Sequence, residues 1–296
     1  MPPGKPPAEV IVEASLVRAL LQEQHPDLAS LRLDLADEGW DNTLFRVGDD
    51  LVIRLPRRAI AASLVEREQQ WLPHLAARLP LPIPTPVRIG RPGCGFPWPW
   101  SIARWFHGRS ALTTPPLDLQ ATAVLLGEFL RALHHAAPSD APSNPWRGVP
   151  LMARTESFVG NLDQLESVVD AQRVRTAWKD TLAAPPWSGP PLWIHGDLHP
   201  GNLVVSDGRV IAVVDFGDLT AGDPATDLAL MWMLLPSTLH PVFTAAASGG
   251  AYMVDDDMVV RARGWAMSLA VAVMAAEGIE TPLGALAFRT LKAALQ

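Results

Sequence analysis

The sequence predicts an α+β fold in two lobes, a small β-rich lobe with one important helix and a larger, mostly helical one. Three observations predict it. The chain has 296 residues, a length that suits one large domain or two lobes. Its first hundred residues carry short strand-like runs separated by turn signals. From Asp118 onward helical patterns dominate. Residues 1–106 therefore read as one lobe and residues 107–296 as the other, with a hinge near Trp105–Thr114.

The start, MPPGKPPAEV, is Pro-rich and lacks an apolar core, so it reads as a frayed segment and not a signal peptide. Val12–Gln24 reads as a helix. Leu31–Leu35 and Thr43–Val47 read as strands around the turn ADEGWDN, and Leu51–Leu55 as a third. Ala61–Leu75 is the helix of the small lobe. Pro-rich stretches then surround two more strands, near Val87–Gly90 and Ser101–Trp105. In the second lobe Asp118, after two prolines, suits the N-cap of a helix ending near His135. Ala136–Pro150 reads as a Pro/Ser/Asn loop, and Asn161–Ala171 and Val174–Ala183 as helices. Leu192–His195, Leu203–Val205 and Arg209–Val214 read as strands, the last two joined by the turn Ser206-Asp207-Gly208. Helices over Pro224–Leu235, Leu239–Ala247, Asp255–Glu277 and Leu283–Ala294 complete the chain.

Composition narrows the partners. Hydrophobic residues make up 48% and charged residues 19%, which describes a folded chain with a sizeable core. The net charge is -7, and residues 200–296 hold 5 basic against 10 acidic side chains. That balance argues against nucleic acid and leans toward a cationic ligand. The single cysteine, Cys94, rules out a disulfide within the chain. The longest apolar run, Trp265–Ala276, is too short to span a bilayer. The expectation is a cytoplasmic protein without membrane contact, as monomer or homodimer.

The stretch WIHGDLHPGNLVV (193–205) carries the chemistry. Asp197 precedes Asn202 by five residues, and Asp215-Phe216-Gly217 follows the apolar run VIAVV. Two strands of one hairpin thus deliver two carboxylates and an amide to one end. Phosphoryl transfer needs such a set: one carboxylate to orient a hydroxyl and accept its proton, an amide oxygen and a second carboxylate to hold Mg²⁺ against nucleotide phosphates. A plain hairpin accounts for Gly201 and the turn residues, but not for the convergence of these three.

HGDLHPGN, VVDFGD and GDPATDLA in that order resemble the aminoglycoside phosphotransferase and choline-kinase group of small-molecule kinases. The resemblance covers most of the chain, from GWDN to the helices after Asp227, and implies a protein-kinase-like fold. It makes Asp197 the catalytic base, Asn202 and Asp215 the Mg²⁺ ligands, His195 a structural member of the loop, and Asp227 a brace for it. Asp218 would face the acceptor or a second metal. His199 reads either as a substrate contact or as a solvated loop residue.

The usual strand lysine is absent, since the three lysines are Lys5, Lys179 and Lys292. Arg54 in LVIRLP stands in its place, because period two turns Val52 and Arg54 away from the face shared by Leu51, Ile53 and Leu55. Its partner is Glu68, which falls inside the apolar stripe Leu64, Trp71, Leu72 and Leu75, where a carboxylate needs a cation. The turn at Ala36–Thr43 has one glycine, Gly39, and backbone amides from Gly39 to Asn42 could cover the phosphates; an ordinary hairpin turn fits equally. Adenine would lie against the connector at Arg104, Trp105 and Phe106. The expected activity is transfer of the γ-phosphate of ATP or GTP to a hydroxyl of a small molecule. An aminoglycoside-like acceptor comes first, with Asp255–Asp257, Glu277 and Glu280 as available carboxylates. A macrolide, a metabolite such as choline or a sugar, and a non-catalytic nucleotide-binding module remain as alternatives.

Overall fold

The computed structural model describes residues 7–296, so most of the Pro-rich start lies outside the described residues. The small lobe opens with α1 (Ala14–Gln24). Its Val17, Leu20 and Leu21 are fully buried, at the i, i+3, i+4 spacing of one helix face. The strands β1 (Leu33–Glu38), β2 (Asn42–Val47) and β3 (Leu51–Pro56) follow. Then come α2 (Ala59–Ala76), β4 (Pro86–Gly90) and β5 (Trp100–Arg104). The strands make one antiparallel sheet in the order β1-β2-β3-β5-β4. Along β3, Ile53 and Leu55 are fully buried in the small-lobe core, while Val52 and Arg54 line the cleft between the lobes. Gly90 lets β4 lie directly against a buried ring, since a Cβ there would sit 1.9 Å from Trp100.

The larger lobe holds β6 (Arg109–Ser110), α3 (Leu119–Leu133), α4 (Thr155–Asp163) and α5 (Ala171–Thr181). The Asp118 carboxylate caps α3 by accepting the Ala121 N–H at 2.9 Å. The helix expected over Asn161–Ala171 does not form. Asp170 instead takes a non-helical backbone and accepts the Arg173 N–H at 3.0 Å. A cap for α5 at that position, behind the β-branched pair Val168-Val169, ends any helix that could have run through it.

Next come β7 (Leu192–Ile194), β8 (Leu203–Ser206), β9 (Arg209–Val213) and β10 (Thr220–Gly222). β6, β8 and β9 form a three-stranded sheet, and β7 pairs with β10. The short β6 and β10 carry too few residues to show a period in sequence. The chain ends in α6 (Ala225–Leu228), α7 (Leu230–Leu234), α8 (His240–Ala247), α9 (Asp256–Glu277) and α10 (Pro282–Ala294). The single helix expected over Pro224–Leu235 is thus two, divided at Ala229.

The helix α9 is the spine of this lobe, packing on α4, α5, α6 and α10 with Trp265, Met267 and Val271 fully buried. Among the described residues it is the one helix long and apolar enough to cross a membrane, and its central place in the core accounts for that composition. The lobes share apolar packing: Leu72 and Leu75 of α2, with Leu81 and Ile83, belong to the large core, and the Trp71 and Trp193 rings lie 5.0 Å apart.

A buried ion pair fixes the segment before α6. Arg261 Nε donates to Asp223 Oδ2 at 2.8 Å, and Arg261 Nη1 to the Pro185 carbonyl at 2.9 Å; both side chains are about 95% buried. Removing the cation leaves a buried carboxylate uncompensated. Arg261→Met is expected to cost about 3–5 kcal/mol of stability, read as a lower urea midpoint with an unchanged denaturant slope.

Candidate active site

The loop after β7 is held by one buried carboxylate. Asp227, fully buried in the first turn of α6, accepts the His195 N–H at 2.7 Å and the Gly196 N–H at 2.9 Å. His134 Nε2 lies 3.0 Å from the same carboxylate, and His134 Nδ1 lies 2.6 Å from the Tyr252 hydroxyl. Gly196 has φ +85°, and a Cβ there would meet the Asp218 carbonyl oxygen at 2.4 Å, so only glycine fits. His195 is fully buried. With its proton on Nε2 it donates to the Val214 carbonyl at 3.0 Å and accepts the Asp197 N–H at 3.3 Å on Nδ1.

This frame presents Asp197 to the cleft. Its Oδ1 lies 3.1 Å from Arg147 Nη2 and its Oδ2 3.5 Å from His199 Nε2. Burial pushes the Asp197 carboxyl upward, but the hydrogen bond and charge of His199, with Arg147 and His195, hold it well below the usual carboxylate range. Burial lowers the His199 imidazole, yet its bond to Asp197 leaves it raised. His199 is therefore a partner of Asp197 and not a solvated loop residue.

Asn202 and Asp215 are brought side by side because the Val214 N–H donates to the Asn202 carbonyl at 2.9 Å. The Asn202 side-chain amide donates from Nδ2 to the Asp197 carbonyl at 2.8 Å, which leaves its oxygen for the cleft it lines. Asp215 adopts φ +64°, and its side chain is more than half exposed. Its Oδ1 faces Arg54, and among the described residues nothing bonds Oδ2. Two oxygen donors of hard character on one hairpin end fit Mg²⁺, which takes few protein oxygens and completes its shell with phosphates and water.

On the opposite wall Arg54 Nη1 contacts both Glu68 oxygens, at 2.6 and 2.8 Å, and Arg54 Nη2 reaches Asp215 Oδ1 at 3.2 Å. The Asn42 amide, with its oxygen turned to the guanidinium, accepts from Nη2 at 2.9 Å and from Nε at 3.0 Å. Asn42 thus begins β2 with its side chain facing Arg54, and Gly39 to Asn42 line the cleft. Gly39 likewise spends its N–H on the Asn42 carbonyl at 2.9 Å. Burial raises the Glu68 carboxyl to about 6, against the lowering effect of Arg54. Arg104, Trp105 and Phe106 line the cleft, but the Trp105 N–H is taken by the Asp50 carbonyl at 2.7 Å.

Sequence reasoning missed Arg147 and Asn144. Arg147 Nη2 bridges Asp197 and Asp218, the latter at 3.4 Å, and Asn144 Nδ2 donates to Asp218 Oδ1 at 2.8 Å. Burial raises the Asp218 carboxyl despite Arg147. Their loop is docked by main-chain bonds, from Ala221 N to the Pro142 carbonyl and from Asp223 N to the Gly148 carbonyl. The available signal was Asn-Pro and Arg-Gly inside an aperiodic segment. Of the carboxylates expected near the acceptor, Glu277 lines the cleft, whereas Asp255–Asp257 and Glu280 do not. Asp255 instead caps α9 by accepting the Met258 N–H at 2.8 Å.

Two lobes around a cleft, with this loop, hairpin and Arg–Glu pair, define the kinase-like phosphotransferase class. The model of the phosphotransferase enzyme family matches residues 33–259, and the chain belongs to that family. An aminoglycoside 3'-phosphotransferase of Escherichia coli is 26% identical over 142 residues, 46% of this chain and 52% of that protein. The chain thus spans about half the length, or less, of the aminoglycoside 3'-phosphotransferases it matches. A homoserine kinase of Granulibacter bethesdensis is 30% identical over 213 residues, 65% of this chain and 61% of that protein. Among solved structures, the GDP complex of wild-type aminoglycoside 2'-phosphotransferase-IIIa has a TM-score of 0.67 at 19% identity, covering 96% of this chain and 99% of that one. A macrolide 2'-phosphotransferase from Brachybacterium faecium has 0.64 at 21%, covering 93% and 96%. These likenesses establish the fold.

Replacing Asp227 by asparagine puts an amide nitrogen against a buried N–H donor. Each orphaned buried group costs about 1–3 kcal/mol. Asp227→Asn is expected to lower the thermal midpoint by several degrees and to speed hydrogen exchange at the His195 and Gly196 amides.

Proposed function

We propose that the protein is a Mg²⁺-dependent phosphotransferase that moves the γ-phosphate of ATP or GTP to a hydroxyl of a small molecule. The convergence of Asp197, Asn202 and Asp215 at one end of the β8–β9 hairpin carries this reading. Asp197, kept ionised by its surroundings, accepts a hydrogen bond from the acceptor hydroxyl, aims the hydroxyl oxygen at the γ-phosphorus and takes its proton as the new P–O bond forms and the bond from that phosphorus to the departing nucleoside diphosphate breaks. Its depressed basicity makes orientation the larger part of that role. Asn202 and Asp215 would hold Mg²⁺, which supplies charge neutralisation at the phosphate oxygens. Arg54, oriented by Glu68 and Asn42, would set its positive charge beside the phosphates where other kinases present lysine, its bond to Asp215 being the one a phosphate oxygen would replace. The connector at Arg104, Trp105 and Phe106 provides the wall for the base. Names of relatives supply the acceptor range: aminoglycosides, macrolides and homoserine.

Asp197→Asn is expected to reduce kcat by about 10²–10⁴-fold with nucleotide affinity unchanged. Steady-state kinetics beside nucleotide titration checks this, and near wild-type kcat would remove Asp197 from the role. Nucleotide binding should also depend on pH. Glu68 gains a proton as pH falls through about 6, and a neutral carboxyl holds Arg54 less firmly. KM for nucleotide should therefore rise below that pH, while Glu68→Gln shows a high, flat KM across the same range.

A further inference from the structure

The cleft has a volume of about 950 Å³ and continues past Asp197 to a wall built from α7, α9 and α10. That wall is apolar, formed by Met233, Leu269, Val273, Ala276, Leu283 and Leu286 among others. Two polar side chains interrupt it. The Thr290 hydroxyl donates to the Leu286 carbonyl at 2.9 Å, and Glu277 Oε2 accepts from the Thr281 hydroxyl at 3.1 Å, which leaves Glu277 Oε1 as the one carboxylate oxygen on this wall without a bond among the described residues. A second observation is independent of the first. Asp197 and Asp218, the carboxylates that could receive an ammonium group beside the reacting hydroxyl, share the Arg147 guanidinium. A polycation placed there would find Asp197 and Asp218 already facing a guanidinium on one side and, on the other, an apolar wall with Glu277 as its one carboxylate. It would shed its hydration with a partner for one charge and none for the rest, which is costly.

Building on the phosphotransferase reading, we propose that the acceptor is a hydroxyl compound apolar over most of its surface and carrying at most one positive charge, with Arg147 as the residue that excludes polycations. The apolar body lies on α9 and α10. The hydroxyl points to Asp197. Much of the acidic balance of the C-terminal half, which leans toward a cationic ligand, is already committed: Asp255 caps a helix, Asp223 pairs with Arg261, Asp215 with Arg54 and Asp218 with Arg147.

The test uses the full chain loaded with Mg·ADP and titrates three probes by calorimetry: erythromycin, uncharged hydrocortisone, and kanamycin as the polycation. Phosphate mass gain is read in parallel with Mg·ATP and Mg·GTP. Erythromycin or hydrocortisone is expected to bind at least about tenfold more tightly than kanamycin. Leu269→Glu, which places a charge on the apolar wall, should weaken the apolar probes by about tenfold with Mg·ADP affinity unchanged. Arg147→Gln should raise kanamycin affinity relative to the apolar probes, a shift in preference that loss of structure would not produce. Val273→Glu repeats the wall test if Leu269→Glu does not fold. Kanamycin binding or phosphorylation equal to or better than that of the apolar probes overturns the acceptor class alone. So does failure of both apolar probes to bind while Mg·ADP does. Absence of Mg·ADP binding overturns the phosphotransferase reading and this inference together.

Discussion

One desolvated carboxylate sets the whole arrangement. Asp227 is fully buried, and a charge without water must be met by donors. Its donors are the backbone N–H groups of His195 and Gly196 and the ring of His134, so meeting that requirement fixes the chain path into the loop. The path in turn demands glycine at 196, presents Asp197 outward, and turns His195 onto the Val214 carbonyl. That last bond ties the loop to the residue before Asp215. A single electrostatic need in the core therefore positions Asp197 directly and, through His195 and Val214, bears on Asp215.

Around the cleft, opposite charges come in matched partners drawn from distant parts of the chain. Asp215 and Glu68 share Arg54; Asp197 and Asp218 share Arg147. Each arginine is held by more than one acceptor, so its guanidinium plane is fixed before any ligand arrives. Such prior fixing reduces the ordering cost that binding would otherwise carry. Arginine suits this arrangement because its planar fork meets the two carboxylates from separate nitrogens in fixed directions, whereas a lysine presents three rotatable N–H groups from a single nitrogen.

Much of this was legible in sequence because local rules act on it. Asp118 caps its helix, the β8–β9 hairpin closes on Ser206–Gly208, and Arg54 and Glu68 meet, since strand period and helix stripe are properties of neighbouring residues. What was hidden depends on distant contacts. Arg147 sits in a segment with no period, and its placement comes from main-chain bonds to Ala221 and Asp223, more than seventy residues away. His199 is a local exception: it lies two residues after Asp197, but whether its ring turns back on that carboxylate or out to solvent is a choice of loop conformation that sequence spacing does not decide. Asn42 was placed in a turn from its neighbours, yet β2 pairs with β3 through Asn42 and Pro56, which turns its amide to Arg54. The helix expected over Asn161–Ala171 straddles two real ones: α4 ends at Asp163, and Asp170 caps the next helix, α5.

The helix α2 has a mechanical consequence. Its middle is fastened to the sheet, where Glu68 grips Arg54 and Gln69 Nε2 bonds the Trp100 carbonyl and the Ser101 hydroxyl. Its last turns are anchored in the other lobe through Leu72 and Leu75. Pro73 stands within that anchored end, where it removes the hydrogen bond that would tie the turn back to Gln69. The helix is a rod clamped at its middle and at its end, and the missing bond from residue 73 to Gln69 spans the stretch that links the two clamps. Flexing there would swing Glu68, and the guanidinium it carries, like the jaw of a pair of pliers, so the width of the cleft and the height of its cation would change in a single stroke.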